Sequence, residues 1–482
     1  MNVTVTRKDF KFSPDPSRVI ARFLNFSDER SQNIIRGVLA MSEGEVFKAL
    51  NQVLRGYSRR HRNISLTFET HFNKLAGTLN ELGIKAAKVD HSRKALIGSY
   101  FTMEYSIESA AFFNPSIVED PDQSETGTDE KRVIISFRAT GEGHISSLVF
   151  RSAIIDRNNN LIIEPVGKML AEADRIKRHI YTKKSFIKKL DEMHDFDNKL
   201  SPLFVLEKLG DRFTYGELKR AVAETRKTHH LTPKKELIIS QLEWLARSHY
   251  EIEFSLDSAI SERVIFPISD TEKNGIEDAR FVRFIQENGE VVYYATLTAY
   301  DGMSILPKLL STRDFYHFKG LPIHGELAQN KGMALFPRMI NGKYAMLCRT
   351  DGVNNYLAFS DNINIWREAK LIQKPKYSWE LIQVGNSGSP IETEEGWLII
   401  THGVGPMREY VLGASLYELN NPENEIGRLK TPLLSPNSVE REGYVPNVVY
   451  SCGSIIHNRT LIVPYGMSDT ASTYATVDLN EL

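Results

Sequence analysis

The sequence is poor in the features that mark several large classes of protein. It holds only two cysteines, Cys348 and Cys452, in 482 residues, which is too few for a disulfide framework and typical of a reducing compartment. Its 60 basic and 61 acidic residues nearly cancel, which argues against a protein built to coat nucleic acid or an anionic membrane. We therefore expect neither nucleic acid nor a membrane among its partners.

Long apolar runs are missing too. No stretch approaches the roughly 20 apolar residues that a helix needs to cross a bilayer. The first residues, MNVTVTRKDFKFSPDPSR, contain no apolar segment of the kind found in signal peptides, so we expect a cytoplasmic protein. The chain also lacks a GxGxxG loop, a Walker A loop, HExxH and CxxC, and its histidines show no metal-ligand spacing. We expect no cofactor and no metal.

The chain changes character along its length. Residues 28–92 carry apolar side chains at three- and four-residue steps, which predicts helices, and SEGE at 42–45 has the form of a capping box. Residues 166–250, beginning with KMLAEADRIKRHIY at 168–181, also have helical spacing. Their basic residues alternate with acidic ones, which favours a solvated helical face over a nucleic-acid surface. We predict an N-terminal helical segment (1–94) and a helical insertion (166–254) that pack together as one subdomain.

The rest of the chain has the period of β-strands. Four stretches share one plan, in which an aromatic-rich strand ends in a polar turn and a strand of small residues follows: VVYYATLTAYDGMS, YAMLCRTDGVNNYLAFSDNINIW, GWLIITHGVGPMREYVLGASLYEL and TLIVPYGMSDTASTYATVDL. With residues 132–156 they make five copies at roughly 50-residue spacing, once the insertion is removed. We predict a mainly β fold, a five-bladed β-propeller with an added α-helical subdomain, with blade one at 95–165 and the other blades at 255–482.

Each copy places charged or amide side chains where one strand gives way to the next. Polar residues are common in turns for conformational reasons alone. A ring of them around one axis would, however, suit a polyhydroxylated ligand. In chain order the candidates are Asn114, Arg138, Glu142, His144, Glu277, Asp278, Arg280, Lys331, Arg349, Asp351, His402, Arg408, Tyr444, Asn447, Tyr465 and Asp469.

The stretch GIEDARFVRF at 275–284 places two carboxylates at the head of an apolar, strand-like run. Acidic residues are unfavourable in strands and costly to bury. Strand alternation predicts that Asp278 and Arg280 share one face, while Glu277 points to the other. We also expect the positive charge of Arg280 to lower the pKa of Asp278.

GIEDAR resembles the G-x-E-D-P-R signature of glycoside hydrolase family 130, the mannoside phosphorylases and β-mannosidases, with Ala279 where the family usually has proline. Similar stretches follow in the family's order: ALFPRMINGKYAMLCR (334–349), GSPIETEEGWLIITHGV (388–404), YVLGASLYELNNP (410–422) and EREGYVPNVVYSCG (440–453). The resemblance covers about 95–165 and 255–482. The helical parts lie outside the family's core pattern.

The resemblance implies a five-bladed propeller and an inverting enzyme. It gives Asp278 the role of general acid, which protonates the glycosidic oxygen through a sugar hydroxyl. The residues that we predict to bind the substrate, a mannose-containing oligosaccharide, are Asn114, Arg138, Glu142, Glu277, Arg280, Tyr444 and Asp469.

Two reactions remain open. An inverting hydrolase needs a second carboxylate, on the order of 6.5–9.5 Å from the acid, as base for water. A phosphorylase instead needs a basic cradle for phosphate. The candidate bases are Glu142, Glu380 and Asp469, and the candidate phosphate ligands are Lys331, Arg349, His402 and Arg408.

We favour a phosphorylase that acts on β-mannosides, in particular β-1,2-linked manno-oligosaccharides, with inorganic phosphate as co-substrate and mannose 1-phosphate as product. A β-mannosidase and a non-catalytic carbohydrate-binding propeller are the alternatives. The helical subdomain could cover the pocket, form a homo-oligomer interface or simply pack as core.

Overall fold

The computed structural model describes residues 3–173, 175–178, 180–192, 202–228, 231–247, 249–269, 272–300 and 305–482. This part of the chain is mainly β, as the sequence predicts, with two helical regions. None of the helices it contains is long and apolar enough to span a membrane.

The first helical region precedes the main sheets. Its helices are α1 (Asp28–Ala40), α2 (Glu43–Tyr57), α3 (Ile64–Asn73), α4 (Ala76–Glu81) and α5 (His91–Tyr100). The predicted capping box of α2 is confirmed, because the Glu45 N–H donates to Ser42 Oγ and the Ser42 N–H donates to the Glu45 carboxylate. The predicted change to strand at residue 95 is wrong. Residues 95–98 are buried in α5, where Gly98 lets the helix approach the backbone of Phe68 more closely than a Cβ would allow.

The second helical region contains α6 (Lys183–Glu192), α7 (Leu203–Leu206), α8 (Tyr215–Thr228) and α9 (Pro233–Arg247). The helix predicted at 168–181 is wrong, since its described residues include the strands β8 (Arg175–Arg178) and β9 (Ile180–Thr182), whose pairing with other strands overrides the helical spacing. The buried apolar side chains of the two helical regions form separate clusters. The domain boundaries, and the packing of the insertion on the N-terminal helices, stay predictions.

In the part of the chain that the structure describes, five sheets contain four or more strands each, and each copy of the predicted repeat lies in a different one. Sheet 1 contains β4 (Ala111–Glu119), β5 (Lys131–Thr140), β6 (Ser146–Ile155), β7 (Leu161–Ile163) and β12 (Val264–Ile265). Sheet 2 contains β8, β11 (Tyr250–Glu253), β13 (Ile276–Ile285), β14 (Val291–Tyr300), β15 (Ile305–Thr312) and β16 (His317–Pro322). Sheet 3 contains β17 (Ala334–Leu335), β18 (Tyr344–Cys348), β19 (Asn355–Ser360) and β20 (Ala369–Gln373).

The last two sheets complete the set. Sheet 4 contains β21 (Gln383–Asn386), β22 (Ile391–Glu392), β23 (Trp397–Val404), β24 (Tyr410–Tyr417) and β25 (Glu425–Arg428). Sheet 5 contains β1 (Val5–Arg7), β26 (Val449–Tyr450), β27 (Ile455–His457), β28 (Thr460–Met467) and β29 (Ala471–Asp478). Two small ribbons pair β2 (Val19–Phe23) with β3 (Thr102–Ser106), and β9 with β10 (Arg212–Thr214).

Successive sheets pack on one another. Strand β4 contacts β13, β14 contacts β17, β18 contacts β21, β24 contacts β26, and β28 of sheet 5 contacts β4 of sheet 1. A separate hydrophobic cluster fills each of these five interfaces. The contacts therefore run from sheet 1 through sheet 5 in chain order, and sheet 5 contacts sheet 1 again.

A buried ion cluster ties the start of the chain to sheet 1. Glu108 is fully buried and accepts hydrogen bonds from Arg18 Nε at 2.8 Å and from Arg151 Nη2 at 2.9 Å. Arg18 Nη1 also donates to the Gly167 carbonyl, which lies at the start of the predicted insertion. Three distant parts of the chain thus meet at one carboxylate.

Candidate functional site

The GIEDAR stretch forms a β-bulge in β13. Its pairing with β14 shifts register between Glu277 and Arg280, and Asp278 adopts φ 53°. A left-handed backbone is uncommon for a residue other than glycine, and such strain often lies at functional sites. Strand β4 has a similar bulge, where Asn114 adopts φ 51°. The two bulges face each other, so that Asn114 Nδ2 donates to Asp278 Oδ1 at 2.7 Å.

Both carboxylates of the stretch face the same arginine. Arg138 Nη2 donates to Glu277 Oε1 at 2.7 Å, and Arg138 Nη1 lies 3.6 Å from Asp278 Oδ1. The prediction that Glu277 points to the face opposite Asp278 is therefore wrong. The bulge inserts an extra residue, which breaks the alternation on which that prediction depended.

Glu277 and Arg138 are held by further contacts. The second oxygen of Glu277 accepts from Lys331 Nζ at 2.7 Å. Arg138 Nε donates to Ser146 Oγ at 2.9 Å, and its guanidinium lies over the Phe113 ring. Strands of sheets 1 and 2 and the segment before β17 thus converge on one charged cluster. Lys331, a predicted phosphate ligand, is paired with Glu277 in this state.

Arg280 connects the acidic pair to a second group of polar side chains. It is buried, and its Nη2 donates to the Tyr450 hydroxyl at 2.7 Å while Nη1 donates to the Asp278 carbonyl at 3.3 Å. Sequence reasoning missed Tyr450. The available signal was its place in EREGYVPNVVYSCG, three residues after the polar turn residue Asn447.

Arg349 and His402 form the basic side of the site. The Asn386 carbonyl lies 3.0 Å from His402 Nδ1, so Nδ1 carries the proton and donates. Nε2 then accepts from Arg349 Nη1 at 3.2 Å. Burial, with the charges of Arg349 and Arg280, holds the pKa of His402 well below its usual range, so the ring is neutral. The His402 and Tyr450 rings lie 4.9 Å apart, which joins this group to Arg280.

The pKa values of two carboxyl groups move in opposite directions. Burial would raise the pKa of Asp278, but the charges of Arg138, Arg280 and Lys331 outweigh it and hold that pKa below its usual value. The lowering expected from Arg280 is therefore confirmed. Burial raises the pKa of Asp469 to about 6, with Arg138 opposing the rise and Asp278 adding to it. Divergent pKa values in one site suit acid–base chemistry.

Three other predicted residues lie at exposed turns. Tyr444 is exposed and stacks on His144, with ring centroids 5.7 Å apart. Glu142 is exposed on the same turn as His144. Arg408 is exposed above the Tyr410 ring, and its charge acts on Asp469.

Several turn residues serve local structure instead. Glu380 is fully buried and accepts from Arg428 and from backbone N–H groups of its own turn, which argues against its use as a base for water. Asp351 accepts from the Val353 and Asn354 N–H groups. The hydroxyl of Tyr465 donates to buried Glu440, and Asn447 accepts from Arg441.

The carboxylate pair leaves little enclosed space behind it. The cavity that Glu277 and Asp278 line measures about 10 Å³, room for about a single water molecule. A ligand larger than water must therefore approach from the open side, where Lys331 is partly exposed. No group of three or more His, Cys, Asp or Glu side chains that could hold a metal occurs in the described part of the chain.

The second half of the chain is similar to known proteins. A family profile described as β-1,4-mannooligosaccharide phosphorylase matches residues 245–482. A 1,2-β-oligomannan phosphorylase of Thermoanaerobacter sp. (strain X514) is 35% identical over 221 residues, which cover 44% of this chain and 72% of that relative. The chain belongs to glycoside hydrolase family 130. This confirms the resemblance of GIEDAR and its companion stretches, and it makes the protein an enzyme of the glycoside phosphorylase or hydrolase type.

Other members of family 130 are also similar. A β-1,2-mannobiose phosphorylase of Listeria innocua serovar 6a is 31% identical over 247 residues, 49% of this chain and 66% of the relative. A solved structure of β-1,2-mannobiose phosphorylase from Listeria innocua with β-1,2-mannobiose has a TM-score of 0.46 and 22% identity, over 78% of this chain and 91% of that one. The profile match begins at residue 245, so Asn114 and Arg138 lie outside it although they contact Asp278.

Proposed function

We propose that this family 130 enzyme is an inverting phosphorylase of β-mannosides. It transfers a terminal mannosyl unit to inorganic phosphate and releases mannose 1-phosphate. The substrates that we propose are β-1,2-linked manno-oligosaccharides. Two relatives at 31–35% identity carry names with that linkage, while the family profile is described by a β-1,4 activity.

The main support for the proposal is the excess of positive over negative charge around Arg349. Burial lowers the pKa of Arg349 and the nearby charge of Arg280 lowers it further, yet within the described residues Arg349 forms no ion pair with a carboxylate. Its guanidinium instead contacts the neutral imidazole of His402. The Nε atoms of Arg280 and Arg349 are buried without a hydrogen-bond partner. Buried and half-buried cations of this kind favour an anion, and phosphate fits the fork of a guanidinium.

We assign each side chain a role in the transfer that is consistent with its contacts. A phosphate oxygen attacks the anomeric carbon from the Arg349–His402 side, and the bond from that carbon to the glycosidic oxygen breaks. The proton of Asp278, relayed by a sugar hydroxyl, goes to the departing oxygen. Asn114 and Arg138 orient the Asp278 carboxyl, and Glu277 binds a hydroxyl or holds Lys331.

The low pKa of Asp278 is a property of the empty site. Three cations surround its carboxyl and keep it ionised. A bound phosphate would cancel part of that positive charge, and a bound sugar would exclude water. Both changes raise the pKa of a carboxyl group. We therefore propose that Asp278 becomes an effective acid only when both substrates are present.

We also propose that the five sheets are the blades of a propeller. Three features support this arrangement: the repeat plan in five sheets, the contact between successive sheets, and the contact of sheet 5 with sheet 1. The carboxylates of sheet 2 and the basic residues of sheets 3 and 4 would then meet near the axis. Hydrogen bonds between neighbouring sheets, such as that from Asn114 to Asp278, are consistent with this.

The hydrolase remains the second candidate because one carboxylate could serve it. Asp469 lies close enough to Asp278 for their charges to interact, and its raised pKa of about 6 lies in the range of a catalytic base. Water would then replace phosphate as the nucleophile.

The test is the product formed from β-1,2-mannobiose with and without inorganic phosphate, followed by ³¹P NMR and sugar analysis. We expect mannose 1-phosphate and mannose in equal amounts, formed only when phosphate is present. Free mannose alone, at any phosphate concentration, would rule out the phosphorylase in favour of the hydrolase. β-1,4-Mannobiose in a parallel reaction tests the linkage.

A further inference from the structure

A second cavity, of about 590 Å³, lies between helix α3 and residues of sheets 1 and 2, among them Ile252 and Val264. One wall is α3 with the residues before it, and the other includes residues 170–173. This segment is held in place because the Ala171 N–H donates to the Glu262 carbonyl at 2.7 Å. Arg62, next to α3, pairs with the Glu262 carboxylate and so joins the two walls. Cavities of this volume commonly hold small molecules.

Glu172 brings an unpaired carboxylate to this cavity. Glu172 is exposed, and it lines the cavity. It makes no hydrogen bond or ion pair with any described residue. Protein atoms lie near the carboxyl group on the cavity side, and this partial desolvation raises its pKa, with the charges of Arg22 and Lys74 opposing the rise. A carboxylate in such surroundings gains from a hydrogen-bond donor.

His71 adds a second acceptor. The Thr102 hydroxyl donates to the Gly98 carbonyl at 2.8 Å, so the short contact of 2.7 Å between His71 Nδ1 and Thr102 Oγ1 has Nδ1 as its donor. Burial, with the charge of Lys74, lowers the pKa of His71 to about 4. The ring is therefore neutral near pH 7, and Nε2 keeps a lone pair with no partner in the described part of the chain.

The cavity also offers donors and apolar surface. Lys74 and the hydroxyl of Thr67 line it, and neither side chain makes a hydrogen bond to a described residue. Lys74 lies over the Phe23 ring. Leu170 and Phe266 are among the apolar residues of the walls. Among the described residues that line the cavity, the unpaired charges are thus one carboxylate and one ammonium group, whose sum is zero.

We propose that this cavity binds a neutral polyhydroxylated molecule, of the size of a mono- or disaccharide. A hydroxyl group both donates and accepts, so one sugar can satisfy Glu172, His71 and Lys74 together, while its C–H faces pack on the apolar walls. An anion would be repelled by Glu172, and a simple cation by Lys74. The site is separate from Asp278, and it depends on the proposed function only for the choice of mannose as probe.

Methyl NMR can observe the two sites separately in the intact enzyme. Ile252 and Ile268 line this cavity, whereas Ile276 lines the space beside Asp278. Titration with mannose, without phosphate, should shift the Ile268 and Ile252 signals to saturation. Glu172→Gln should weaken that response at least tenfold and leave the response of Ile276 and the phosphorolysis rate unchanged.

A second variant and a control keep the result interpretable. Lys74→Met should weaken the same response, whereas Glu394→Gln, at an exposed turn of sheet 4, should not. The inference fails if Ile268 shows no saturable shift, or if both cavity variants bind mannose as the parent does. Tighter binding of glycine betaine than of mannose would also overturn it, since the ligand would then be a zwitterion. A response of Ile268 without one of Ile276 supports this site and counts against the proposed function.

Discussion

Replacing Arg349 by methionine should separate phosphate binding from sugar binding. Methionine keeps much of the apolar stem and removes the guanidinium. In the empty site Arg349 contacts the neutral His402 and forms no ion pair with a described carboxylate, so the change leaves no buried carboxylate unpaired. We therefore expect the free energy of unfolding to be unchanged or slightly higher.

The loss of phosphate affinity should appear in the phosphate dependence of the reaction rate. A hydrogen bond to a charged group contributes about 1.5–3 kcal/mol. At about 1.4 kcal/mol per factor of ten, loss of the bond from Arg349 to phosphate should raise the KM for phosphate roughly 10- to 150-fold. The KM for mannobiose should change by less than about threefold, because the acidic cluster at Glu277 is not touched.

The assay is the initial rate of mannose 1-phosphate release at saturating β-1,2-mannobiose, with phosphate varied. Arg338→Met is the matched control, because Arg338 forms an exposed pair with Glu392 at another part of sheet 3. An unchanged KM for phosphate in Arg349→Met, together with a raised KM for mannobiose, would show that Arg349 binds sugar and would refute the reasoning.

Three further predictions concern carboxylate side chains. Asp278→Asn should lower kcat at least about a hundredfold with an unchanged circular dichroism spectrum, and near-normal turnover would remove Asp278 from the proposed mechanism. The folded-state pKa of Asp469, about 6 against a usual 3.8, means that its stabilising contribution is complete below about pH 3.8 and is lost as the pH rises through 6. The free energy of unfolding of Asp469→Asn, measured in urea, should therefore rise by on the order of 3 kcal/mol relative to that of the wild type as the pH goes from about 4 to about 8. A difference between the two proteins that does not change with pH would contradict this. Glu108→Gln leaves two buried arginines without their carboxylate and should cost about 3–5 kcal/mol in urea unfolding, whereas exposed Glu392→Gln should cost less than about 1 kcal/mol; equal costs would contradict the role given to burial.

Much of the architecture could be predicted because it is repetitive. The alternation of residues and the polar turns recur in every copy, and each copy lies in its own sheet. The helices with strong spacing and a capping box were also predictable, as α2 shows. The stretch at 168–181 failed because pairing partners from distant parts of the chain decide whether β8 forms.

The site was harder to predict than the fold. The signature named Asp278, but the bulge that turns both carboxylates toward Arg138 depends on how β13 pairs with β14. A partial signal existed in Asn114, since asparagine tolerates the left-handed backbone better than most residues. The pairing of Lys331 with Glu277 joins residues of separate repeats, and no local pattern encodes it.

The pairing of β1 with β29 has a consequence for the order of folding. Val5 lies opposite Val477, and Arg7 donates to Glu440 across 433 residues of chain. Sheet 5 therefore joins a strand to other strands that are synthesised more than 400 residues later. Until they meet, β29 has an open edge, which is a site for unwanted pairing with other chains. The entropic cost of closing so long a loop grows only with the logarithm of its length. The main consequence of late closure is therefore the time for which the β29 edge stays exposed, and the free energy of closure matters less.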